Sequence, residues 1–139
     1  MFKADETEAA AARLAEGLNV MDIPRLVTTQ YAKGLGKTVD SVAEALGDFE
    51  PIDKNTFSAW SNEEYRKALE GSGRKTVILM GIETHICVEQ TALDLMEEGY
   101  TVFVPADCVQ SRNPVNREIS LRRMEEAGAV ITCSESILY

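Results

Sequence analysis

Hydrophobic positions along this chain follow two rhythms. Thr76-Val-Ile-Leu-Met80, Thr101-Val-Phe-Val104 and Ala129-Val-Ile-Thr132 are short, nearly unbroken apolar runs. Such runs predict strands covered on both faces, as in parallel sheets. Between them the apolar residues recur at helical spacing. Glu6 to Leu18 is rich in Ala, Glu and Leu and predicts a helix whose end Gly17 weakens. Val39 to Leu46 predicts a short helix. Ser61-Asn-Glu-Glu64 has the form of a capping box, in which the Ser61 hydroxyl accepts from the Glu64 N–H, and it opens a helix ending near Gly71. Ile86 to Glu98 predicts a helix stopped by Gly99. Asn113-Pro114 places a cap before a proline at the first helical position, and that helix runs to Ala127 with Gly128 as its stop.

The first half is less regular. Ile23-Pro-Arg-Leu-Val-Thr-Thr29 predicts a short strand entered through a proline. Tyr31-Ala-Lys-Gly-Leu-Gly-Lys-Thr38 predicts a glycine-containing loop, and Glu50 to Trp60 an irregular stretch with one brief strand. Strands alternating with helices predict parallel βαβ units in one domain over residues 1–139. In such sheets the ligand crevice lies beyond the carboxyl ends of the strands. The turn from Glu83 to Cys87 follows the Thr76–Met80 run, at such an end.

Composition narrows the function classes. A chain of 139 residues can bury a core without disulfides or metals. Its net charge of −9 comes from acidic residues spread over several helical stretches, which argues against nucleic acid or an anionic membrane as partner. No run approaches the ~20 apolar residues that cross a bilayer. Met1 to Glu8 has no apolar run and does not read as a signal peptide. The three cysteines, Cys87, Cys108 and Cys133, form no C-x-x-C pair, which points to reduced thiols and a cytoplasmic location.

Cys87 carries the sharpest chemistry. A strand, a tight turn and a helix place its sulfur near the helix start, where unpaired N–H groups and the positive dipole end favour a thiolate. The competing reading is a buried structural cysteine. Cys108 and Cys133 read as structural. Lys54, in the polar loop Ile52–Phe57, could stabilise a thiolate or developing negative charge, or could be solvated. His85, the single histidine, is a base or part of a pocket wall. One histidine without a metal-ligand spacing predicts no metal site and no cofactor. Tyr31, Phe57, Trp60 and His85 are candidate pocket walls, with core packing as the alternative for the aromatic residues.

Gly81-Ile-Glu-Thr-His-Ile-Cys-Val-Glu-Gln-Thr-Ala-Leu-Asp-Leu95 resembles the nucleophile segment of isochorismatase-like cysteine hydrolases. Thr28 to Gly36 resembles the loop after their second strand in the small single-domain branch. Asp53 to Ala59 resembles their lysine loop, Val104 to Arg112 their fifth-strand exit, and Glu126 to Thr132 their last helix–strand junction. The matches occur in order over nearly the whole chain. The resemblance implies a Rossmann-like three-layer α/β/α sandwich with a mostly parallel sheet. It implies a cysteine, lysine and aspartate triad, with Cys87 as nucleophile and Lys54 as the lysine. It also implies a cis peptide between Ile82 and Glu83, an oxyanion hole from the backbone N–H groups of Glu83 and Cys87, a small-molecule substrate, and a homo-oligomer, most simply a dimer.

One departure stands out. The family's aspartate lies on a first strand of hydrophobic-Asp-x-Gln pattern, and this chain begins at what resembles the segment after it. Asp5, at a helix start, does not take the role. The expectation is a domain without its first strand, either because the chain is incomplete relative to its gene, because the sheet rearranges, or because another chain supplies a strand. The functional expectation is a cysteine hydrolase of small amide-like C–N substrates acting through a thioester-type intermediate. The alternative is a catalytically inactive scaffold or interaction subunit.

Overall fold

In a computed structural model, which describes residues 4–139, the chain forms short parallel strands wrapped by helices. The elements run α1 (Ala4–Val20), β1 (Thr28–Gln30), α2 (Ala32–Leu35), α3 (Asp40–Leu46), β2 (Ile52–Lys54), α4 (Glu63–Ser72), β3 (Thr76–Ile78), β4 (Gly81–Ile82), α5 (Glu89–Glu97), β5 (Thr101–Pro105), β6 (Val109–Gln110), α6 (Pro114–Ala127), β7 (Val130–Thr132) and α7 (Ser134–Leu138). Every strand pair is parallel. β5 lies between β3 and β7, β4 pairs with β6, and β1 pairs with β2.

The β3 region shows why there are two helical layers. Successive side chains of a strand point to opposite faces. Val77 and Leu79 pack into one core cluster, with Tyr65 and Leu69 of α4, Ala92 and Leu95 of α5, and Leu121 and Met124 of α6. Ile78 and Met80 pack into the other, with Ala10, Ala11 and Leu14 of α1, Val42 of α3, and Leu138 of α7. The buried face of α1 is mostly alanine. Gly17 does not end α1. A β-carbon there would come within 2.4 Å of Leu138 Cδ2, so the glycine makes room for α7.

Several boundaries differ from the sequence expectation. The run from Thr76 to Met80 is not a single buried strand. Only Thr76–Ile78 is strand, β4 begins beyond the run at Gly81, and Val77 to Met80 are half-buried. β3 pairs with β5 on one side, β1 pairs only with β2, and among the described residues no strand joins β1 to β3. The open side leaves the apolar run partly uncovered. The expected strand over Ile23–Thr29 is confined to Thr28–Gln30, where the register with Ile52–Lys54 supplies the hydrogen bonds. The glycine loop contains the short helix α2. Ser61 does not cap α4. It ends a 3₁₀ turn, and the side chain of Asn62 accepts the Tyr65 N–H at 2.9 Å instead. Asn113 caps α6 as expected, accepting from Val115 N with Pro114 behind it.

Candidate active site

Lys54 is the last residue of β2 and lies in register with Gln30, the last residue of β1. Its side chain runs inward and is only 4% exposed. The ammonium donates to Gln30 Oε1 at 2.5 Å and to the carbonyls of Thr56 and Phe57 at 2.9 Å each. Its fourth neighbour is Cys87 Sγ at 3.8 Å. The oxygens are neutral. A buried cation is costly unless an opposite charge faces it, and among these four neighbours only the sulfur can carry one.

The lysine loop is held by α5. Ser58 Oγ donates to Asp94 Oδ2 at 2.6 Å, the Ala59 N–H donates to Thr91 Oγ1 at 2.9 Å, and Thr56 Oγ1 donates to the Ser58 carbonyl at 2.8 Å. Since α5 continues directly from the turn that contains Cys87, one helix carries the sulfur and braces the lysine.

Cys87 does not sit in a regular first α-turn. Thr84–Val88 forms a π-type turn, in which the Val88 N–H reaches the Glu83 carbonyl at 3.2 Å, and α5 starts at Glu89. The Ile82–Glu83 peptide is cis. The turn is fastened from the β6–α6 side. Ser120 Oγ donates to the Thr84 carbonyl at 3.0 Å. Arg112 donates to Glu83 Oε1 through its backbone N–H at 3.0 Å and its Nε at 2.8 Å. Burial pushes the Glu83 carboxyl up, but the Arg112 hydrogen bonds and charge, with a contribution from His85, outweigh it and hold the group below the usual range. His85 Nδ1 lies 2.9 Å from Ser111 Oγ, and its Nε2 lies 3.8 Å from Glu83 Oε2.

The other sequence candidates divide. Tyr31 and Phe57 are half-exposed at the ends of β1 and β2, beside Lys54. Trp60 is core rather than wall: it packs edge-to-face on Tyr100 at 5.8 Å and adjoins the larger cluster. His85 faces Ser111 and Glu83. Cys108 is fully buried, and burial, with Asp107 beside it, pushes its thiol up to about 12. Cys133 is exposed rather than a core residue and sits just before α7, near Ser136. No group of three metal-ligating side chains occurs among the described residues. Sequence reading missed Gln30, Thr91, Asp94 and Ser111. Only Thr91 carried a signal, as a polar residue on the inner face of an otherwise apolar helical stripe.

Residues 1–136 match the isochorismatase domain family, and the chain belongs to that family. It is 40% identical over 126 residues to isochorismatase domain-containing protein 1 of Salmo salar, covering 91% of this chain and 44% of that protein. Among solved structures it superposes on MAR1 ribonuclease from Caenorhabditis elegans with a TM-score of 0.90 and 40% identity, covering 96% of this chain and 69% of that one. It superposes on the Escherichia coli YcaC product, described as an octameric hydrolase of unknown specificity, with a TM-score of 0.91 and 28% identity, covering 97% and 67%. The neighbours share the isochorismatase-like α/β sandwich, and no described helix is long and apolar enough to cross a membrane.

Proposed function

We propose that this chain carries the nucleophile and lysine of a cysteine hydrolase for small amide-like C–N substrates, in one domain spanning residues 1–139. The observation that carries the reading is the Lys54 ammonium, nearly sealed from solvent and 3.8 Å from Cys87 Sγ, with only neutral oxygens as its other partners among the described residues. A thiolate at Cys87 balances that cation.

The Cys87 thiolate attacks the substrate's acyl carbon, a C–S bond forms, and the carbonyl electron pair moves onto oxygen. The backbone N–H groups of Glu83 and Cys87 receive that oxyanion, an arrangement worth roughly 3–4 kcal/mol per donor to such a transition state. Collapse breaks the C–N bond, and the amine leaves with a proton. Water then adds to the thioester, the C–S bond breaks, and the acid and thiolate are released. The family resemblance assigns the proton transfers to an aspartate. No carboxylate is among the Lys54 contacts described above, so the proton route is not complete within those residues. The cycle uses no metal or cofactor.

That gap favours a second reading, a non-catalytic scaffold or interaction subunit. Incubating the purified chain with a panel of small primary amides separates the two. The hydrolase reading expects ammonia release and an acyl adduct on Cys87 by intact mass, both lost in Cys87→Ala. Absence of both across the panel selects the scaffold. The three free thiols suit a reducing cytoplasm, and assembly into a homo-oligomer is part of the same proposal. Ribonuclease activity, the description of the Caenorhabditis elegans neighbour, is not carried over, because a net charge of −9 opposes a polyanion.

A further inference from the structure

Two aromatic rings stand half-exposed where β1 and β2 end. Tyr31 is 54% exposed and Phe57 is 55% exposed. Both leave from backbone that touches Lys54: the Tyr31 N–H donates to the Lys54 carbonyl at 3.1 Å, and the Phe57 carbonyl accepts from the Lys54 ammonium at 2.9 Å. The backbone of both residues thus adjoins the lysine that faces Cys87.

Tyr31 is the more constrained of the two. Its backbone is left-handed, with φ 44° and ψ 66°, a region that bulky residues rarely adopt and keep only where their surroundings hold them. Those surroundings are specific. Asp53 Oδ1 accepts from Thr29 Oγ1 at 2.8 Å and from the Ala32 N–H at 2.9 Å, bracing the chain on either side of the tyrosine. The Gly34 and Leu35 N–H groups both donate to the Tyr31 carbonyl at 2.9 Å. A β-carbon at Gly34 would lie 2.5 Å from the ring's Cε1, so the ring rests on bare glycine backbone. A strained residue, a carboxylate brace and a glycine together fix one ring at the surface.

We propose that Tyr31 is a specificity-determining residue of the Lys54–Cys87 site: its ring is a rigid platform for a flat, unsaturated substituent of the amide substrate. The proposal rests on the nucleophile reading above and names its substrate class, planar aromatic or conjugated amides in preference to small alkyl amides. A ring offers a planar group an offset-stacked face that an alkyl group cannot use as well.

Alkylation tests this without requiring turnover. Chloroacetanilide and chloroacetamide both react by the same step: the thiolate forms a C–S bond, the C–Cl bond breaks, and chloride leaves. Rates at Cys87 are read by peptide mass mapping on the full chain, and each is divided by the reagent's rate with N-acetylcysteine. The normalised preference for chloroacetanilide is expected to be about two- to twelvefold, the range of one aromatic contact. Tyr31→Leu should abolish the preference and Tyr31→Phe should keep it. Gly34→Ala, which displaces the ring without removing it, should weaken it. A fast Cys87 with no preference, or a preference unchanged in Tyr31→Leu, overturns the platform alone. Labelling of Cys87 by both reagents no faster than the exposed Cys133 overturns the nucleophile reading and the platform with it.

Discussion

At the scale of single residues, the unusual group is an ammonium rather than a thiol. Lys54 is 4% exposed and has no carboxylate among its partners described here. Desolvating a cation costs more than one sulfur partner 3.8 Å away returns, so a lysine kept in such a place serves something other than stability. Lys54→Met is therefore expected to leave the thermal midpoint unchanged or raised. The same substitution should slow iodoacetamide alkylation of Cys87 about tenfold. That is well within the ~4 kcal/mol that unit charges about 4 Å apart exchange at an effective dielectric of about 20. Cys133, exposed and beside Ser136, is the internal control, and Cys108 should stay unlabelled in the folded protein because it is fully buried. If Cys87 and Cys133 label equally in the parent chain, Lys54 does not activate the sulfur. Lys54→Arg should fail as well, because a planar fork cannot meet three oxygens and a sulfur arranged around one nitrogen.

At the scale of elements, helix α5 organises the site. Asp94 and Thr91 hold the loop that presents Lys54, and the turn feeding the same helix presents Cys87. Asp94→Ala should slow Cys87 alkylation several-fold while the same variant keeps its far-ultraviolet circular dichroism; an unchanged rate would show that the loop needs no brace from the helix. Asn62→Ala should cost about 1 kcal/mol in chemical denaturation, the usual worth of an N-cap, whereas Ser61→Ala should cost little. The cap shows how far the sequence can be read. Its type was visible and its register was off by one, because Ser61 and Asn62 can both cap and the preceding 3₁₀ turn decides between them. Helix stops at Gly128 and the α6 cap were legible because each is set within a few residues. β1 and β2 were legible as brief strands but not in their bounds, since Thr-Thr-Gln and Ile-Asp-Lys carry no apolar alternation and their limits are set by pairing with each other. The site divides the same way. Cys87 and Lys54 lie in segments whose residue order is distinctive. Gln30 and Ser111 reach their partners only through hydrogen bonds between distant parts of the chain.

At the scale of the whole molecule, the last helix is attached by a titrating clamp. Asp107 lies in the turn after β5 and accepts from the Ser134 N–H at 2.9 Å and from Ser134 Oγ at 2.5 Å. Ser134 opens α7, whose Leu138 seats on Gly17 of α1, so one carboxylate ties the two ends of the described chain to the sheet. Burial alone would push the Asp107 carboxyl up, but the two Ser134 hydrogen bonds outweigh it and hold it below the usual range. Glu83 is depressed in the same direction by Arg112. A folded-state value below the unfolded one means that the unfolded chain binds protons first as acid is added. The stability these groups supply is therefore full above about pH 4, the unfolded aspartate value, and is lost as pH falls through the lower folded values. Cys108 sets the opposite limit. Its thiol, raised to about 12, contributes stability below the unfolded thiol value of about 8.5 that is lost as pH rises toward the folded one. Thermal midpoints followed from acid to alkali should thus form a plateau with both shoulders. Asp107→Asn should lower the plateau and flatten the acid shoulder, because an amide can neither titrate nor accept two hydrogen bonds as strongly as a carboxylate. An acid shoulder of unchanged steepness in Asp107→Asn would assign the acid sensitivity to Glu83 or to other carboxylates and remove the clamp from the account of stability.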